Sequence, residues 1–248
     1  MALRDRALSL LGLLVLWWLC ARLAAAPRLL PPPGAVLGVL WHGLLAGDMA
    51  RNMGITLLRV IAAFVVSMAA GSAIGYLAGR SRRFDALADP WIVIALNLPA
   101  LVVILLAYVW IGLNELAAIA AVAIVKAPTV IVTVREGARA LDPALEELAA
   151  AYRLPRRSRL RRVVAPQLAP YLAAAARSGL AITWKIVLIV ELLGRPDGVG
   201  FALNLLFQNF DVAGILAYGL GFAAIMLVIE TVLLQPWERR ANAWRRGA

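Results

Sequence analysis

Residues 55–83 read ITLLRVIAAFVVSMAAGSAIGYLAGRSRR. The part at 55–78 is almost wholly apolar and is long enough to cross a bilayer core as one helix, which takes about 20 residues. Lipid offers the backbone no hydrogen bonds, so such a stretch must be helical. Arg80, Arg82 and Arg83 follow at once. A short basic loop of this kind stays on the cytoplasmic side of a span. Five more apolar stretches match in length: 8–23, 90–110, 114–134, 168–190 and 212–234. Ile111-Gly112-Leu113 makes a short break between the third and fourth spans. The sequence therefore predicts an all-α polytopic membrane protein with six transmembrane helices.

The composition agrees with that class. Of 248 residues, 63% are hydrophobic and 16% charged, against about 45–50% and about 25% in a soluble domain. A net charge of +11 would suit nucleic-acid binding, but here the arginines lie between apolar runs. No paired aromatic motif for base stacking and no Cys/His finger spacing accompanies them, so no nucleic-acid partner is expected. Cys20 is the only cysteine and His42 the only histidine, so neither an intrachain disulfide nor a metal site is expected. No nucleophile, histidine base and acid come together without His42. No catalytic residues are assigned, and the chain is read as a non-enzyme.

Basic residues orient the spans. With the N-terminus in the cytoplasm, that side carries Arg4 and Arg6, then Arg80, Arg82 and Arg83, then Arg135 and Arg139. It also carries the cluster Arg153, Arg156, Arg157, Arg159, Arg161 and Arg162, and the tail residues Arg239, Arg240, Arg245 and Arg246. These are most of the 25 basic residues, and the scheme puts both termini in the cytoplasm. For the first span a second reading stands: Arg4 and Arg6, an apolar core and Ala24-Ala25-Ala26 also fit a cleavable signal peptide. The chain divides into a first span with an outer connecting segment (1–54), a five-helix core (55–234) with a cytoplasmic loop at 135–167, and a basic cytoplasmic tail (235–248).

The loop at 135–167 is the longest cytoplasmic connection. Asp142-Pro143 predicts a helix start, with Asp as cap and Pro in the first turn. Glu146 and Glu147 then fall where the helix dipole favours negative charge. A helix over 144–152 follows, and Pro155 turns the chain. A second, basic helix over 158–164 is expected to end at Pro166. An acidic helix followed by a basic one suggests a docking surface, beside the plainer reading of a basic loop drawn to anionic lipid.

Glu147-Leu148-Ala149, Arg153 and Pro166 resemble the "EAA" loop of ABC-importer permeases. Leu148 stands for the first Ala of that pattern, Arg153 for its Gly, and Ala165 for the Leu before its Pro. Three further segments resemble the nitrate/sulfonate/taurine-type permeases: Leu30-Pro31-Pro32-Pro33-Gly34-Ala35-Val36, Leu57-Leu58-Arg59-Val60, and Trp184 through Glu191-Leu192-Leu193-Gly194 to Gly198-Val199-Gly200. The resemblance implies a type I ABC-importer permease in the cell inner (plasma) membrane. It implies two cytoplasmic ATP-binding subunits, a second permease copy as a homodimer, an extracytoplasmic solute-binding protein, and membrane lipid around the chain. It also implies that Glu146, Glu147, Ala149, Tyr152, Arg153 and Pro166 form the coupling loop to the ATPase. A Gly-rich phosphate loop ending in Gly-Lys-Ser/Thr is absent from the sequence. No cofactor is therefore expected on this chain, and ATP with Mg²⁺ belongs to the partner.

Charges within spans cost about 2.5–3.5 kcal/mol at the bilayer centre, so they face cavities, partners or each other. Lys126, Lys185, Arg177 and Glu191 are of this kind. Lys126 is open to two readings, attraction of an anionic solute or a structural ion pair. Arg177 lies nearer the cytoplasmic end, where it could also snorkel. Asn97, Pro99, Lys126, Trp184, Lys185 and Glu191 are the candidate translocation pathway; for Trp184, packing is the alternative. Gly194, Gly198 and Gly200 are the candidate outer gate. Asn204, Gln208 and Asn209 suit either solute contact or ordinary loop polarity. The solute expected from the resemblance is a sulfonate, nitrate or related anion, or a vitamin precursor. The competing function is an ion-coupled secondary transporter, which would call for an internal repeat with paired broken helices.

Overall fold

The computed structural model describes residues 3–241. Among these every regular element is helical: α1 (Leu3–Ala24), α2 (Pro33–Ala46), α3 (Met49–Arg80), α4 (Arg82–Asn97), α5 (Ala100–Ile111), α6 (Glu115–Arg139), α7 (Pro143–Ala151), α8 (Arg156–Arg159), α9 (Ala165–Gly194), α10 (Val199–Gln208), α11 (Val212–Ile229) and α12 (Gln235–Ala241). Two π-turns, Leu160–Val164 and Glu230–Leu234, join α8 to α9 and α11 to α12. Of the expected basic flanks, the side chains of Arg4 and Arg6 and the residues Arg245 and Arg246 lie outside the described part.

Among the described residues four helices are long and apolar enough to cross a membrane: Met49–Arg80, Glu115–Arg139, Arg156–Gly194 and Val212–Ala241. The expected span at 90–110 is not one rod. It is α4 and α5, bent by 99° at Leu98-Pro99. A proline lacks the N–H to continue the ladder and forces the residue before it out of the α region. Leu98 accordingly sits at φ −70° and ψ 127°. The expected end of the second basic helix at Pro166 is also corrected. Helix runs unbroken from Arg156 to Gly194. The Ala165 N–H bonds to the Leu160 carbonyl, five residues back, so the ladder shifts register just ahead of the proline. The break at 111–113 is a real turn, closed by Gly112 at φ +91° and restarted by Asn114, whose side chain caps the Ala117 N–H at 2.9 Å.

The chain divides into two compact units, with the divisions inside α3, α9 and α11. One comprises the residues through Thr56 with Glu191–Ile225; the other comprises Leu57–Val190 and the residues from Met226 on. In the second unit, α3, α6 and α9 enclose the core. Val130, Val134 and Ala175 pack with Met68, Tyr76 and Leu172, and Ala138, Leu141, Val164 and Leu168 continue it. Lipid is as apolar as leucine, so burial alone does not drive helices together in a membrane; close backbone approach does. Gly71, Gly75 and Gly79 supply that approach along one side of α3. A Cβ at Gly71 would lie 2.7 Å from Val130 Cβ, one at Gly75 2.5 Å from the Ile131 carbonyl oxygen, and one at Gly79 2.5 Å from Ala138 Cβ. Gly137 similarly admits the Tyr171 ring from α9, with a Cβ-to-Cγ distance of 2.6 Å. Arg59, buried in α3, is held by Glu115 at the start of α6 through two hydrogen bonds of 2.9 and 2.5 Å. The outward faces carry bare Leu, Val and Trp side chains, such as Leu58, Val65, Trp91 and Trp110.

In the first unit, Trp17 donates to the Pro31 carbonyl at 3.1 Å, tying α1 to the segment before α2. Gly221 of α11 admits Leu40 and Met53.

The glycine seam gives a direct test. We expect Gly75→Val to lower stability in detergent by about 1–3 kcal/mol or more, the cost of overpacking. Gly54→Val, on the same helix but facing open space, should leave the melting temperature almost unchanged.

Candidate functional site

The first candidate is α7 and its surroundings. Nine residues make a helix too short to persist alone in water, so α7 depends on its ends and on one anchor. Asp142 accepts the Ala144 N–H at 2.8 Å and Pro143 occupies the first turn, as the sequence predicts. Such a cap is worth about 1 kcal/mol. The Asp142 N–H in turn donates to Gln167 Oε1 at 2.8 Å, and Gln167 Nε2 donates to the Val163 carbonyl at 2.9 Å. The two ends of the loop are thereby tied together.

The C-terminal end of α7 is a Schellman turn. The Arg153 N–H reaches the Ala150 carbonyl and the Leu154 N–H reaches the Ala149 carbonyl, at 2.9 and 3.0 Å. This turn needs a left-handed residue, usually glycine. Arg153 occupies it at φ +48°. The substitution at the motif's glycine position therefore keeps the backbone bend and bears its strain.

Glu146 is the anchor. Its Oε2 accepts from Arg80 of α3 at 2.5 Å and lies 3.3 Å from Arg159. Exposed ion pairs contribute only about 0.2–1 kcal/mol each, so the pair orients α7 more than it stabilises it. Ala149 is buried beneath the helix, while Glu147, Leu148 and Tyr152 face outward. Pro166 is exposed inside the long helix. Further acidic partners hold the neighbouring α4 to α6: Arg135 bonds Asp89 at 2.6 Å and Asp85 at 3.2 Å, and Arg139 bonds Asp85 at 2.5 Å.

The second candidate is the mid-span charge. Lys126 is buried, and its ammonium donates to Thr129 Oγ1 at 2.7 Å. Among the described residues no carboxylate pairs with it. It lies against Gly179 of α9, where a Cβ would approach Lys126 Cε to 2.9 Å. Thr183, also buried, bonds the Gly179 carbonyl. Trp184 is half-buried and Lys185 exposed, with the ammonium 5.7 Å from the Trp184 ring centre. Asn97 is exposed and donates to the Val93 carbonyl of its own helix at 2.8 Å; Pro99 is exposed at the bend. Arg177 meets two carboxylates, Glu238 at 2.9 Å and Glu230 at 3.5 Å.

The third candidate lies in the first unit. Glu191 is fully buried, and its Oε2 accepts from the Thr56 hydroxyl at 2.9 Å and the Gly200 N–H at 2.8 Å. Thr56 Oγ1 also accepts the Val199 N–H at 2.8 Å, and Asn52 Oδ1 accepts the Gly198 N–H at 3.0 Å. Asn52 donates to Tyr218 at 3.3 Å. Gly198 is at φ +101°, and a Cβ there would strike the Glu191 carboxylate at 2.5 Å. The structure thus brings Glu191, expected on the pathway, together with Gly198 and Gly200 of the expected gate. Gly194 ends α9 just before this knot. Asn204 bonds the Leu192 carbonyl and Gln208 bonds Asn204, while Asn209 bonds the Leu205 carbonyl.

Sequence reading missed Arg59–Glu115, Asn52 and Thr56. Arg59 had a signal: a charge inside an apolar run needs a partner. Asn52 and Thr56 had none, since ordinary polar residues at a helix start look alike.

Comparison with known proteins adds the following. The sequence profile described as "Binding-protein-dependent transport system inner membrane component" matches residues 71–234. A protein named a probable ABC transporter permease, from Brucella abortus, is 27% identical over 94% of this chain and 92% of its own length. The taurine transport system permease protein of Escherichia coli is 24% identical over 95% of this chain and 88% of its own. The crystal structure of an amino acid ABC transporter with histidines shares the fold, with a TM-score of 0.62 at 22% identity over 77% of this chain and 93% of that one.

The left-handed turn yields an expectation. Arg153→Gly should slow hydrogen exchange at the Leu154 amide and strengthen the turn by about 1 kcal/mol. Arg153→Val should speed that exchange, because a β-branched residue tolerates this angle least.

Proposed function

The chain belongs to the binding-protein-dependent transport system inner membrane components, and we propose that it is the six-span permease subunit of an ATP-driven importer with both termini in the cytoplasm. It is a membrane-embedded ABC transporter permease without enzymatic chemistry of its own; in these systems the ATPase is a separate subunit. The six-span reading counts the four long helices, the bent α4–α5 pair and α1. In α1, 22 residues long, the apolar part is Leu8–Ala24, shorter than the four long helices, and the six-span reading takes it as the first crossing. The division into 1–54, 55–234 and 235–248 follows from that topology.

The observation that carries the coupling role is the geometry of α7. It is capped at both ends, pinned from below through Glu146, and bare on the side of Glu147, Leu148 and Tyr152. Such a pre-organised short helix suits seating in a groove of an ATP-binding subunit, with Arg153 and Pro166 shaping its return to the membrane. A working importer would then comprise two permease copies, two ATP-binding subunits that hold ATP and Mg²⁺, and an extracytoplasmic solute-binding protein. The Glu191–Thr56–Gly200 knot would hold the outer gate.

The finer reading is a small sulfonate or related oxyanion as solute. The buried, carboxylate-free Lys126 supports it, as does the taurine name of one relative. Asn97, Pro99, Trp184 and Lys185 remain its candidate companions along the pathway. The secondary-transporter alternative loses ground: one bent helix pair is found among the described residues, where paired broken helices are called for.

Two outcomes are expected. Co-expressed ATP-binding subunit should co-purify with the chain, and Glu147→Arg with Tyr152→Ala should abolish that capture while leaving the chain monodisperse. Capture undiminished by the double variant would refute the α7 assignment. In reconstituted transport, Lys126→Met should cut uptake of an anionic solute at least about tenfold, the scale of one lost buried charge contact. Unchanged uptake and unchanged anion dependence would refute the role of Lys126.

A further inference from the structure

Six arginines lie between Arg153 and Arg162, and only Arg159 has an acidic partner among the described residues, Glu146. Three of the others line one open cleft of about 390 Å³: Arg157, Arg161 and Arg162, with Ser158 as its fourth wall. Every side-chain polar group there is a donor, apart from the hydroxyl oxygen of Ser158. No carboxylate closes the cleft.

Arg157 and Ser158 come from α8, and Arg161 and Arg162 from the π-turn Leu160–Val164 that follows it. Arg161, four residues on from Arg157, falls on the same helix face. The same turn makes α8 continuous with the spanning helix Arg156–Gly194. The cleft therefore sits on the first turns of a helix long and apolar enough to cross a membrane, a few residues before its apolar stretch at 168–190. Leu160, within the same turn, exposes its apolar side chain.

We propose that this cleft binds the phosphate of an anionic phospholipid headgroup. Guanidinium forks match phosphate oxygens, and Ser158 adds a hydroxyl donor. The closeness of the cleft to a spanning segment, with Leu160 exposed beside it, favours the bilayer as the source, its acyl chains running beside the helix and past Leu160. The site is distinct from α7, and its assignment rests on the chain being membrane-embedded, not on which solute it carries.

The test uses the full-length chain in nanodiscs of phosphatidylcholine doped with phosphatidylglycerol. Native mass spectrometry after detergent release reads the phospholipid still bound. The Arg157→Gln/Arg161→Gln/Arg162→Gln variant should lose retained phosphatidylglycerol roughly a hundredfold, at about a fivefold effect for each guanidinium. Ser158→Asp, which puts a carboxylate into the cleft with the arginines intact, should lose it as well. A charge-matched variant, Arg83→Gln/Arg239→Gln/Arg240→Gln, should retain it. Equal retention by the wild type and the cleft variants overturns the proposal. Equal loss in the charge-matched variant also overturns it, since total charge alone would then suffice. Inorganic phosphate binding in the cleft to the exclusion of phosphatidylglycerol overturns the lipid assignment.

Discussion

The approach of α3 to α6 across Gly71, Gly75 and Gly79 is the constraint on which the second unit depends. Side chains at these positions would meet backbone and Cβ atoms at 2.5–2.7 Å, so nothing larger than a hydrogen fits without a shift. In lipid this contact is the source of cohesion, because leucine against leucine gains nothing over leucine against an acyl chain. The seam fixes α6, and α6 carries Lys126 in its middle and Arg135 and Arg139 at its end. It also brings Arg80, at the end of α3, to the place where Glu146 can reach it. The geometry of the loop at α7 is thus a consequence of glycine spacing some distance away in the chain.

Polar residues act in this fold as local fasteners. Arg59 and Glu115 join α3 to α6 in a two-pronged ion pair. Arg135 and Arg139 take Asp85 and Asp89 from α4. Arg177 gathers Glu230 and Glu238 from the last helices. In the first unit, Glu191 and Thr56 hold three successive backbone N–H groups of the Gly198 loop together with Asn52. Where the groups are buried, as at Arg59, Thr56 and Glu191, these arrangements satisfy what lipid could not. Lys126 stands apart, with a threonine hydroxyl as its partner and no acid among the described residues. This makes it the charge with the least structural explanation.

Much of this was legible in the sequence. Apolar length marked the helices, Asp142-Pro143 marked the start of α7, and the loop motif pointed to the family. Pro99 stands out as a pathway residue, but hydropathy averages over a proline, so the 99° bend leaves no signal in it. Pro166 reads as a stop because the π-turn that carries helix past it leaves no compositional trace. The three glycines of α3 sit at a spacing of four, yet the stretch reads simply as hydrophobic, and their partner on α6 is set by tertiary packing. Glu191 was found from its charge, but its role beside Gly198 and Gly200 depends on Thr56, far away in sequence. Arg153 was recognised as a departure from the motif; only the backbone angle shows that the glycine-like turn survives it.

The central claim is that this chain couples ATP hydrolysis on one side of the membrane to solute delivery on the other. The most direct measurement is the ATPase rate of the complex in proteoliposomes, with and without solute-loaded binding protein on the outer side. Coupling predicts a rate that rises several-fold with the loaded binding protein and falls back when the solute is withheld. A rate indifferent to the binding protein, alongside solute uptake that persists without ATP, would contradict the claim.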